Sequence, residues 1–82
     1  MIPRIRTIKA MPKYKLLVEF DGGEKVLYDV QDDIRTLKDF EPLETEHGLF
    51  ESFQIDESRT CVFWSDRIDL PSDTLFEYGM KA

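Results

Sequence analysis

Eighty-two residues leave room for one domain, spanning residues 1–82, and for no second core. A hydrophobic content of 41% beside 34% charged residues excludes a disordered chain, and a single cysteine, Cys61, excludes an intramolecular disulfide. The net charge of −6 argues against a nucleic-acid binder, because an acidic body repels phosphate.

Pro3 and Pro12 bracket a first strand over 4–10. Ile5 and Ile8 there fall on opposite parities, which a β-bulge would reconcile. Tyr14, Leu16, Val18 and Phe20 then share one parity, as do Val26, Tyr28 and Val30. Strands alternate their side chains between two faces, so 14–20 and 25–30 each present one apolar face. Asp21-Gly22-Gly23-Glu24 lies between them, and its glycines supply the positive φ that a tight reversal needs. The two runs therefore form a β-hairpin.

Gln31-Asp32-Asp33 offers capping oxygens, and Ile34, Leu37 and Phe40 follow at spacing three, which predicts short helical pieces between 32 and 49. Pro42 interrupts them, and Gly48 is placed to end a last turn in a left-handed conformation. Phe53 and Ile55 alternate with polar residues, so 50–56 reads as a fourth strand. Cys61-Val62-Phe63-Trp64 is apolar on both parities, as in a strand covered on both faces, either central or at a subunit contact. Asp66-Arg67 is a turn, Pro71 starts a final helix, and Gly79 stops it. The expected fold is α+β: a small, mostly antiparallel sheet of about five strands with two or three short helices, in the order β-β-β-α-β-β-α.

Charge is unevenly placed. Arg4, Arg6, Lys9, Lys13 and Lys15 precede every acid, and all seventeen acids come later. Spaced among Ile5, Ile8 and Met11, these bases read as a strand lying beside acidic neighbours of its own fold rather than as a nucleic-acid arm.

No catalytic pattern stands out. His47 and Cys61 are the only imidazole and thiol, too few for a transition-metal site. His47 among Glu44, Glu46 and Gly48 reads as a surface residue, and Cys61 as a small buried hydrophobe. The clusters Asp29-Asp32-Asp33 and Asp66-Asp69-Asp73 lack the glycine and terminal Glu of a calcium loop. Asp69 and Asp73 read as capping groups for the last helix. Asp21-Gly22-Gly23 has no Gly-Lys-Ser/Thr after it, so it is a turn and not a phosphate cradle. No metal, cofactor or catalytic residue is expected. The first six residues lack the apolar core of a signal peptide, and no apolar run is long enough to span a bilayer, so a cytoplasmic, non-membrane protein is expected.

Tyr14-Lys-Leu-Leu-Val-Glu-Phe-Asp-Gly-Gly, Val26-Leu-Tyr-Asp-Val30, Phe40-Glu-Pro-Leu43, Leu49-Phe50, Phe53-Gln-Ile-Asp56, Trp64 and Ile68-Asp-Leu-Pro71 with Leu75-Phe-Glu carry a resemblance in their order and spacing. Together they make the chain resemble the bacterial family catalogued as domain of unknown function 2442, over about Ile8 to Tyr78. Ser65-Asp66-Arg67 departs from the Pro-Asn-Gly-like turn expected after the tryptophan. The resemblance implies a small α+β domain with no established enzymatic activity and no catalytic residues to carry over. Its association with helix-turn-helix regulators and with toxin–antitoxin-like pairs implies regulation by protein contact.

Three functions stand beside one another. The first is a non-enzymatic interaction or regulatory module acting as a homodimer, with Cys61, Phe63, Trp64, Tyr28 and Tyr78 as the candidate interaction surface. The second is a small-molecule or peptide sensor with a pocket between sheet and C-terminal helix, lined by Tyr28, Trp64 and Tyr78. The third is an enzyme using Asp or Glu with His47.

Overall fold

A computed structural model describes residues 2–82. Seven strands and three short helices follow in the order β1 (Ile5–Met11), β2 (Lys15–Phe20), β3 (Lys25–Asp29), α1 (Val30–Thr36), α2 (Pro42–Thr45), β4 (Gln54–Ile55), β5 (Cys61–Ser65), β6 (Ile68–Pro71), α3 (Ser72–Tyr78) and β7 (Met80–Lys81). Single 3-10 turns at Lys38–Phe40 and Phe50–Ser52 join them. The α+β class and the antiparallel pairing are as expected. The single five-stranded sheet is not. The strands form two sheets, ordered β1-β2-β3-β7 and β4-β5-β6.

The division follows from short-range geometry. β5 pairs with its sequence neighbours on both sides, so it is the centre of its own sheet and does not join the hairpin. The predicted strand over 50–56 shrinks to Gln54–Ile55, because Phe50–Ser52 closes a 3-10 turn that buries the Phe50 ring. Ile68–Pro71 becomes a strand that alternates buried Ile68 and Leu70 with exposed Asp69 and Pro71. Pro71 therefore ends β6 and precedes the helix, and Ser72 is the first helical residue. Asp69 lies on that exposed strand face and Asp73 is the second helical residue, so neither is the N-cap, although Asp73 accepts from the Thr74 amide at 2.9 Å.

β1 pairs antiparallel with β2 and contains a register shift between Ile5 and Thr7. That irregularity brings Ile5 and Ile8 to the same face despite their opposite parities, with Ile5 buried opposite Phe20 and Ile8 opposite Val18. The β2–β3 turn is closed by the Gly23 amide donating to the Phe20 carbonyl at 2.9 Å. Gly23, at φ 94°, takes the left-handed position of a three-residue hairpin loop. Gly22 does not adopt positive φ. On the other side of β2, Lys13 and Tyr14 hold φ of 64° and 59° with no glycine. Tertiary contacts hold that turn: the Tyr14 ring meets Phe50 edge-on at 5.3 Å, and the Tyr14 carbonyl accepts from the Val30 amide at 2.9 Å.

α1 begins one residue after β3, with Asp29 as N-cap: its Oδ1 accepts from the Gln31 amide at 3.0 Å. Pro42 opens α2 rather than closing a helix, as suits a residue without an N–H. Gly48 is left-handed at φ 79°, as the sequence predicts. Gly79 ends α3, as expected, without a left-handed turn. Its backbone is extended at φ −74°, and a Cβ there would lie 2.6 Å from the Leu75 carbonyl and 2.8 Å from Val26 Cβ. Only glycine lets the chain pass this close to β3 and pair Met80 with Leu27.

One buried cluster draws on every layer: Leu16, Val18, Phe20, Val26 and Tyr28 from the first sheet, Val62, Ile68 and Leu70 from the second, Ile34 and Leu75 from the helices, and Phe40, Leu43 and Phe50 from the connecting turns. At the far end, Arg59 joins the two sheets. Its guanidinium donates to both Asp21 carboxylate oxygens at 2.8 Å and to the Ile5 carbonyl at 3.2 Å. That pairing holds the Asp21 carboxyl below its ordinary range. The basic first strand also lies beside its own acids: Arg6 stands 3.9 Å from Glu19 and 4.0 Å from Asp21. No helix among the described residues is long and apolar enough to cross a membrane.

Candidate binding groove at the β3–β7 edge

The five residues expected to form one interaction surface fall in three places. Trp64 is half-buried and packs on the core; its ring stacks 6.0 Å from Phe50, and its Nε1 donates to the Phe50 carbonyl at 2.9 Å. It belongs to the interior and lines no groove with the tyrosines. Cys61 and Phe63 alternate with buried Val62, so they occupy the opposite, outer face of β5, half-exposed. The apolar character of 61–64 on both parities thus marks a central strand with one buried face and one partly open face. Burial first, and then the charges of Asp69 and Asp56, push the Cys61 thiol above its ordinary value.

Tyr28 and Tyr78 do come together. They line a groove of about 500 Å3 formed where β7 stops short of the end of β3. β3 and β7 supply Leu27 and Met80, α1 supplies Asp32 and Asp33, and α3 supplies Thr74 and Tyr78. The groove lies between sheet and C-terminal helix, as the sensor reading anticipates, with acids in place of Trp64. Its floor is fixed by the buried Tyr28 hydroxyl donating to Asp33 Oδ2 at 2.7 Å. Burial pushes the Tyr28 phenol well above its ordinary value, and the Asp33 hydrogen bond and charge add to that. Burial likewise raises the Asp33 carboxyl; the Tyr28 hydrogen bond opposes this, and the neighbouring Asp32 and Asp29 charges reinforce it. At the rim, Tyr78 is 71% and Met80 74% exposed, unusually open for such large apolar side chains.

The groove offers apolar and aromatic walls, carboxylates at one end and, among its lining residues, the single base Lys15. Among the described residues no three His, Cys, Asp or Glu side chains converge as a metal site. His47 lies in a separate groove with Glu44, Glu46 and Glu51, while Asp29 lines the tyrosine groove and Asp69 the exposed face of β6. His47 is therefore apart from Asp29 and Asp69, and the acids that share its groove are glutamates.

Leu27, Thr74 and Met80 escape sequence reasoning as groove residues. Thr74 and Met80 belong to α3 and β7, remote in sequence from β3, and the return of the chain beyond Gly79 pairs Met80 with Leu27. The acids carried a signal, since Asp29, Asp32 and Asp33 cluster in sequence next to Tyr28. Compared with protein-family models, curated proteins and solved structures, the chain matches none.

Proposed function

We propose that this chain is a non-enzymatic interaction module that engages another polypeptide at the β3–β7 edge. The observation that carries the reading is the solvent-exposed pair Tyr78 and Met80 at the rim of the groove. Exposed apolar groups grouped around a concavity are a common mark of a contact surface. The acids Asp29, Asp32 and Asp33 suit a partner segment that brings a basic side chain. The resemblance to the domain of unknown function 2442 family points the same way, towards regulation by protein contact, and it rests on the motifs quoted above.

The test is affinity capture from the native host with the intact chain and with a Tyr78→Ala, Met80→Ala double variant. The reading expects a defined partner retained by the first and lost by the second, with unchanged circular dichroism. Equal retention by both, or retention of nothing, contradicts it.

A second reading, a small-molecule sensor using the same groove, is favoured by its 500 Å3 volume and by the Tyr28–Asp33 pair at its floor. A native-state ligand raises the melting temperature. A screen of cationic and aromatic compounds that yields no stabiliser disposes of this second reading.

A further inference from the structure

The outer face of the four-stranded sheet carries a self-complementary pattern. Leu17 and Leu27 are paired across β2 and β3, and the row extends to Lys9 on β1 and Met80 on β7. Neither leucine packs on the buried cluster, whose members on these strands occupy the opposite face. Around the two leucines stand four charges at the corners of a rectangle: Lys15 opposite Asp29 at one end, Glu19 opposite Lys25 at the other. Along each strand the signs alternate, and across each pair they alternate again.

We infer that a second copy of this chain docks on this face, about a two-fold axis that runs parallel to the strands between β2 and β3. The inference rests on the reading that the chain works through protein contacts, and it names one partner. Such an axis lays β2 of one copy over β3 of the other at the same height. Each Lys15 then meets an Asp29, each Glu19 meets a Lys25, and each Leu17 meets a Leu27 from the other copy. All four corner contacts join opposite charges around an apolar centre, as an isologous interface requires. An axis perpendicular to the strands also pairs opposite corners. It lays Lys9 on its own copy, however, whereas the strand-parallel axis sets Lys9 over Met80. Like charges placed together oppose association, so the strand-parallel axis is favoured. Four strands about 4.8 Å apart and five residues of about 3.4 Å give a face roughly 19 by 17 Å. That is small beside the roughly 1,200–2,000 Å2 buried in stable complexes, so the dimer is reversible and depends on concentration.

Sedimentation equilibrium on three proteins tests this, with a melting curve for each to confirm folding. The native chain is expected to dimerise within a range reaching about 1 mM. Leu27→Glu is expected to weaken the dimer at least about tenfold, or about 1.4 kcal/mol. Leu17→Ser serves the same purpose if Leu27→Glu fails to fold. The double exchange Glu19→Lys with Lys25→Glu keeps both cross-strand pairs and every contact of the strand-parallel dimer, so its affinity should stay within about threefold of native. It sets like charges together in the perpendicular alternative. A native chain that remains monomeric, or dimers unaffected by Leu27→Glu or Leu17→Ser, overturns the interface. Loss of dimer in the double exchange overturns the axis. A monomeric chain that still captures a partner through Tyr78 and Met80 overturns this inference alone and leaves the interaction module standing.

Discussion

Leu16 faces into the buried cluster and has no exposed surface, whereas Leu17, the next residue on β2, faces outward and packs on none of it. The same contrast repeats on β3 between Val26 and Leu27. Inside, side chains from both sheets, the helices and the connecting turns interlock. Outside, two half-buried leucines lie among alternating charges and apart from the buried cluster. The first face is complete within the chain and explains its stability. The second has apolar surface left over, and that surface continues through Met80 and Tyr78 to the groove rim. Packing is thus filled on one side of these strands, while the other side keeps partly open apolar surface.

The sharpest way to break this contrast is to truncate both leucines. Leu16→Ala should cost about 2–5 kcal/mol in chemical denaturation, because it opens a cavity in a filled interior. Leu17→Ala should cost no more than about 0.5 kcal/mol under conditions where the chain is monomeric, since the removed atoms were partly hydrated already. Equal losses would mean that both faces are packed.

Smaller effects come from the two turns that set the pitch of β2. Gly23→Val should destabilise by about 1–3 kcal/mol, because a β-branched residue is strained at a φ of 94°. Gly22→Ala should stay within about 0.5 kcal/mol: its Cβ meets only the movable end of the Glu24 side chain. At the opposite turn Lys13 sits at positive φ without being a glycine, so Lys13→Gly should stabilise by up to about 1 kcal/mol. Urea midpoints for the three variants check the order. A destabilised Lys13→Gly would show that the left-handed turn carries no strain.

The smallest effect tests the groove floor. Burial raises the Asp33 carboxyl above its ordinary value, so the folded state holds that proton more tightly than the unfolded chain does. Its contribution is complete below the ordinary carboxylate range and is lost as pH climbs through the raised value. Asn at this position keeps an oxygen to accept from Tyr28 and carries no charge. Asp33→Asn should therefore raise the melting temperature relative to native at pH 7 and give a smaller gain at pH 3. A gain independent of pH would separate Asp33 from the burial effect.

Much of the fold is legible in the residues because its signals are local. The alternation in 14–20 and 25–30 and the glycine at 23 define the hairpin, and the parity slip between Ile5 and Ile8 correctly anticipates the irregularity in β1. The division into two sheets is not legible. It depends on β5 choosing β4 and β6 as partners over the hairpin, and β6 and the two-residue β7 are too short to mark themselves as strands. The Lys13-Tyr14 turn is hidden as well, since the Phe50 ring that braces it lies far along the chain. Of the candidate surface, Tyr28 and Tyr78 meet in the groove, while Trp64 reads equally well as interior or contact until its indole N–H is seen bonded to the Phe50 carbonyl.

The most direct measurement is a 1H–15N NMR dilution series of the native chain from about 1 mM downward, a range that populates weak association. Concentration-dependent shifts are expected along Leu17, Leu27 and Met80, with the amides of Leu16 and Val62 unmoved. Shifts confined to Cys61 and Phe63 on the outer face of β5, or none at all, would contradict this.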